Sequence, residues 1–282
     1  MITVSSADIN LWIAALLWPL TRILALISSA PVFGNSAVPT TIKISFGVLL
    51  TAIVAPTVPA YPAMDPLSLA GLLVVMQEML IGLAMGFTIR IVFAAVELAG
   101  EISSSTMGLG FASFFDPATQ GRSSAISQFL SLVATMAFLS VNGHLVLLSA
   151  LVESFHTLPV SSIPVYSGGF KQMADWGGRI FSTGVQLSLP IVAALLITNV
   201  ALGILTRAAP QLNLFGIGFP ITLGVGLLMI AVTLPYMGTP MQNLFLDGIE
   251  HARLMPRTWS ERPKVVKPAR APLRPTELLP SS

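Results

Sequence analysis

Runs of apolar residues dominate the chain, at about 9–33, 42–60, 67–98, 125–151, 180–206 and 212–236, with segments rich in Pro, Gly, Ser and charge between them. Each run is near or above the roughly 20 residues that an α-helix needs to cross hydrocarbon, so the pattern predicts about six membrane-type helices and an all-α fold. The first, from Ile9 to Phe33, is apolar all round apart from Arg22. Asp8 and the lack of a basic start argue against a cleaved leader, so the segment is expected to stay in the mature protein. The run from Leu67 to Thr106 is too long for one lipid-spanning helix. About 40 residues make roughly 60 Å of helix, twice the hydrocarbon thickness, so the segment must bend, break or leave the bilayer.

Composition agrees with this picture. Of the 282 residues 54% are hydrophobic and only 9% charged, with a mean hydropathy of +0.83, whereas a soluble domain carries roughly 25% charged residues. Cysteine is absent, which excludes disulfides, thiolate catalysis and cysteine metal sites. His144, His156 and His251 are too far apart in sequence for a helical ligand pair and read as interfacial or loop residues. No cofactor or metal is expected. Half of the 14 Lys and Arg residues follow Asp247, and this basic flank predicts a cytoplasmic C-terminus. Prolines crowd the same stretch. The expected division is therefore a membrane domain over 1–256 and a basic, Pro-rich disordered tail over 257–282.

Several charges fall inside the apolar runs: Arg22, Glu78, Arg90, Glu97, Glu101 and Arg207. At mid-membrane each costs about 2.5–3.5 kcal/mol, so they should face protein or water, either as interhelical ion pairs or as a working site. Glu97 and Glu101 are like charges one helical turn apart and call for a cation opposite, with Arg22, Arg179 and Arg207 available. Gly82 and Gly86 form a G-x-x-x-G pair, which lets a second helix approach closely.

The stretch Met107-Gly-Leu-Gly-Phe-Ala-Ser-Phe-Phe-Asp-Pro-Ala-Thr-Gln-Gly121 interrupts the pattern. Gly108 and Gly110 open backbone angles closed to other residues, and Asp116-Pro117 favours a turn, with the Asp116 carboxylate free to cap the next segment. Non-helical backbone at membrane depth survives only when buried in protein or lining a cavity. Phe111, Phe114 and Phe115 then form either a hydrophobic constriction or the headgroup-level rings of an ordinary interfacial loop.

Four motifs in order resemble the flagellar biosynthesis protein R (FliR) family of the type III export gate. They are Arg22 with Ala30-Pro-Val-Phe-Gly34 and Val38-Pro39; Gln77-Glu-Met-Leu-Ile-Gly-Leu-Ala-Met-Gly-Phe87 leading through Ala99-Gly-Glu101 into the Met107–Pro117 loop; Asn142-Gly-His144; and Ala209-Pro-Gln-Leu-Asn-Leu-Phe-Gly-Ile-Gly-Phe-Pro220. The match covers about 10 to 250. The resemblance implies a non-enzymatic subunit of a hetero-oligomeric helical assembly in the bacterial inner membrane, at the flagellar basal body. It implies the flagellar P and Q proteins and the flagellar B protein as partners, exported flagellar proteins as cargo, and no nucleic acid. It also implies that Gly108 to Gly121 is a plug, with Phe111, Phe114 and Phe115 as its seal and Met107 adding a thioether.

Other readings stay open on the sequence alone: the equivalent subunit of a virulence type III system, or a single-chain solute or ion transporter using Glu78, Arg90 and Glu97. An intramembrane hydrolase lacks support, because neither H-E-x-x-H nor G-x-S-x-G occurs.

Overall fold

The computed structural model describes residues 6–59, 61–62, 64–111, 124–161, 168–209 and 214–260. Among these every regular element is helical: α1 Ser6–Ser29, α2 Thr40–Val54, α3 Leu69–Thr106, α4 Ala125–Ser140, α5 Gly143–Thr157, α6 Gly168–Gly177, α7 Arg179–Ala208 and α8 Leu214–Ser260. Five are long and apolar enough to cross a membrane, and the pair α4–α5, bent by 65°, makes a sixth candidate. The fold is an all-α polytopic membrane protein.

Helix α3 is the central post. It begins where the Ser68 hydroxyl accepts the Gly71 amide proton, an N-cap that satisfies one of the unpaired donors of the first turn. Its 38 residues run about 57 Å without interruption. α1 lies parallel to its first half, since Arg22 sits against Gly82 and Leu26 against Gly86. α4 is antiparallel to its second half, with Ser124 at Glu101 and Ser131 at Glu97. α7 runs in the same direction as α3, placing Gly184 against Ala95 and Leu98, and α8 returns with Gly226 at Met107 and Gly248 at Val92.

Where α3, α4 and α8 meet, Phe93, Phe138 and Phe245 form a ring cluster with centroids 5.2–5.9 Å apart. Edge-to-face and tilted contacts of this kind add about 0.5–1.5 kcal/mol per pair beyond their burial. The α4–α5 break follows from Asn142, whose φ of 53° is left-handed and ends α4. Gly143 then leaves room for the Phe138 ring, which a side chain there would strike.

One element boundary differs from the sequence expectation. The last apolar run stops at 236, yet α8 continues through Pro240 and Pro256 to Ser260. Met241, Phe245, Ile249, Ala252, Met255 and Trp259 are all buried at helical spacing along that extension, and their packing outweighs the missing proline hydrogen bonds. Arg257, at the expected start of the tail, consequently lies in α8 together with Arg253. Both reach Glu153 of α5, at 2.8 and 2.9 Å. Residues 261–282 lie outside the described residues.

Candidate functional site

Arg22 of α1 and Glu78 of α3 are both fully buried and face each other. The Arg22 Nε donates to Glu78 Oε2 at 2.6 Å and Nη2 to Glu78 Oε1 at 2.9 Å. The other donors point at α5: Nη1 to Ser154 Oγ at 3.0 Å and Nη2 to the Leu158 carbonyl at 3.0 Å. Leu158 is the C-cap of α5, where carbonyls left without helical partners carry partial negative charge that favours a cation. The Phe155 ring lies 4.2 Å from the guanidinium and adds a cation–π face. One arginine thus ties three helices together.

Tyr61 closes the same end of the molecule. Its phenol is pushed up to about 12, chiefly by burial and secondly by the Glu78 charge. At neutral pH it is a proton donor, and its hydroxyl reaches the Ala55 carbonyl at 2.9 Å.

The remaining charges are placed differently from the sequence expectation. Arg22 serves Glu78, not Glu97 or Glu101, because the parallel packing of α1 sets it about one turn from Glu78 and several turns short of the other two. No cation faces those two among the described residues. Instead the Ser124 amide donates to Glu101 at 2.7 Å and the Ser131 hydroxyl to Glu97 at 3.1 Å. Ser124 is the N-cap of α4, so the positive end of a helix dipole takes the place of the expected cation. Arg90 and Arg207 are exposed and make no ion pair among the described residues. Glu78 and Arg90 stand about 18 Å apart along α3, so the transporter constellation of Glu78, Arg90 and Glu97 is not assembled within this chain. Among the described residues no three metal-ligating side chains converge.

Gly82 and Gly86 sit where α3 meets α1. A Cβ on Gly82 would strike the Arg22 carbonyl, and one on Gly86 the Ser29 hydroxyl and the Leu26 carbonyl.

The start of the central loop is anchored on α8. Met107 is fully buried, its thioether lies over Gly226, and its carbonyl accepts from Thr222 Oγ1 at 3.2 Å. Gly108 has φ +87° with the Phe219 ring against it, a backbone state that other residues enter only at a cost. A short 3₁₀ turn, Leu109–Phe111, follows. Met107 is therefore a foothold of the loop on α8 in this chain. Phe114, Phe115, Asp116, Pro117 and Gly121 lie outside the described residues. Sequence reading missed Thr222, Gly226, Ser154 and Leu158, since each acts through a contact distant in sequence. No local signal marked them, since Gly226 is one of several glycines on α8.

The sequence has close relatives. The profile of the family "Bacterial export proteins, family 1" matches residues 13–248. Over 247 residues the chain is 44% identical to the flagellar biosynthetic protein FliR of Pectobacterium carotovorum subsp. carotovorum, covering 88% of this chain and 94% of that one. The chain belongs to the FliR family. The Escherichia coli (strain K12) FliR protein is 41% identical over the same shares of both chains. The more distant FliR of Bacillus subtilis (strain 168) is 32% identical over 82% of this chain and 90% of its own. The FliR match takes in every element of the Arg22 cluster, the loop anchors and the α7–α8 hairpin up to residue 248, and stops short of the basic C-terminal stretch.

Proposed function

We propose that this protein is a structural, channel-forming subunit of the flagellar type III protein export gate, in the bacterial inner membrane with its C-terminus in the cytoplasm. It assembles with the gate's P and Q subunits, contacts the flagellar B protein, and contributes residues 108–121 to the plug of the conduit. Family membership supports the flagellar export apparatus as its setting.

The observation that favours a multi-subunit gate is the extent of exposed apolar surface. α8 alone is 47 residues long, about 70 Å, against roughly 30 Å of hydrocarbon. Exposed apolar side chains run from Leu69 to Phe87 on α3, from Phe181 to Leu205 on α7 and from Ile217 to Val232 on α8. Contacts place the two ends of this surface at different heights, since Met107 at the end of α3 meets Gly226 and the start of α8 projects past it. A single bilayer covers only part of this surface, and neighbouring subunits cover the rest. The basic flank that includes Arg253 and Arg257 supports the cytoplasmic C-terminus.

The test is affinity purification of the full chain from native membranes. P and Q subunits are expected to co-purify in defined ratio, and a chain recovered alone, functional in transporting a solute, would overturn the reading. The plug has its own test. Phe114→Ala with Phe115→Ala is expected to leave assembly intact while making the membrane leaky to small solutes. Unchanged permeability in an assembled gate removes the plug assignment.

A further inference from the structure

At the end of the α7–α8 hairpin that carries the basic residues, α6, the first residue of α7 and the last turns of α8 enclose a cleft of about 530 Å³. Its wall holds Lys171, Gln172, Asp175, Arg179, His251 and Thr258. None of the first four makes an ion pair or side-chain hydrogen bond among the described residues. The Gln172 Oε1 is buried and lacks a donor. Trp176 forms the floor: it is 4% exposed, its indole N–H donates to the Thr88 carbonyl at 3.1 Å, and His251 stacks on it at 3.9 Å. The His251 Nδ1 proton goes to the Asp247 carbonyl at 2.9 Å, since that oxygen only accepts, which leaves Nε2 unused. Nothing in the Arg22 cluster or the loop anchors uses these groups.

We infer that this cleft holds the headgroup of a membrane phospholipid, its phosphodiester on Lys171 and Arg179. Three features fix the chemistry. An arginine fork and a lysine ammonium are the standard partners of a phosphate oxygen. Asp175 and the donorless Gln172 Oε1 oppose a bare phosphate ion but suit a headgroup that also bears an ammonium or hydroxyl proton. The cleft also lies at the start of an apolar helix surface. After Arg179, Phe181, Val185 and Leu189 are 69%, 46% and 53% exposed, spaced one turn apart on a face of α7 turned away from Arg179, so surface suited to acyl chains begins within a turn of the cleft. The setting is that of an interface: α6 is short and amphipathic.

The experiment uses the full chain, delipidated in detergent and titrated with phosphatidylethanolamine, phosphatidylglycerol, phosphatidylcholine and diacylglycerol of matched acyl chains, with bound lipid counted by native mass spectrometry. Phosphatidylethanolamine and phosphatidylglycerol are expected to be retained about tenfold or more above diacylglycerol, because charge-assisted hydrogen bonds are worth at least that factor. Phosphatidylcholine, which has the phosphate but no donor for Asp175 and Gln172, should fall between. The double variant Lys171→Gln, Arg179→Gln should lose the preference, and Lys171→Arg should keep it. Equal retention of diacylglycerol, or an unchanged preference in the double variant, overturns the inference. Displacement of the lipid by inorganic phosphate at equal concentration overturns the lipid source and assigns the cleft to a free anion.

Discussion

Arg22→Met is expected to destabilise the protein by about 3–5 kcal/mol, because it leaves the Glu78 carboxylate buried with no counter-charge. The same change strips Ser154 and the Leu158 carbonyl of their donor, so α1 and α5 lose their shared attachment to α3. Thermal unfolding of the full chain in detergent, or its steady-state level in the membrane, reads the effect directly. The double variant Arg22→Met, Glu78→Leu separates two explanations. If the pair fixes geometry more than it stabilises, replacing both charges with apolar groups of similar size recovers most of the loss. A single variant as stable as the parent would show that water or another group reaches Glu78, contrary to its complete burial.

The second large effect is expected at the α1–α3 seam. Gly82→Leu and Gly86→Leu should each reduce accumulation of the folded chain severely, with loss of co-purifying partners. Ordinary overpacking costs about 1–3 kcal/mol, but here the obstacles are the backbone carbonyls of Arg22 and Leu26. They move only if the whole of α1 moves, and that shift pulls Arg22 off Glu78. Gly47→Ala is the control. Its Cβ would meet the Leu24 Cδ2 at 2.5 Å, the end of a flexible side chain that can swing away, so a far smaller loss is expected. Gly82→Leu accumulating and assembling like the parent would refute the close-packing role.

The fold class was legible because hydropathy reports length and burial, and six apolar runs became five long helices and one bent pair. Boundaries were less legible wherever packing overrode local preference. α3 reaches Thr106, where the run from Leu67 was expected to end, but no local window reveals that Ser131 and the α4 N-terminus hold its Glu97 and Glu101. α8 was cut short at 236 because prolines and charges read as terminators. The helical spacing of Met241, Phe245, Ile249, Ala252 and Trp259 was present in the sequence and pointed the other way. The charged residues were found individually, but their pairing was not. The register between α1 and α3 decides that Arg22 meets Glu78, and register is set by glycines on one helix against carbonyls on another.

The two footholds of the central loop bound what it can do. Before it, Met107 is pinned by Thr222 and Gly226 of α8; after it, Ser124 is pinned by Glu101 of α3. Both pins are tied to α3, so the intervening stretch behaves as a leash fixed at both ends. About 15 residues at roughly 3.3–3.6 Å each give a contour near 50 Å, and a path that goes out and returns reaches at most about 25 Å. In the gate proposed above, a passenger that displaced this loop would do so within that radius and would free neither end.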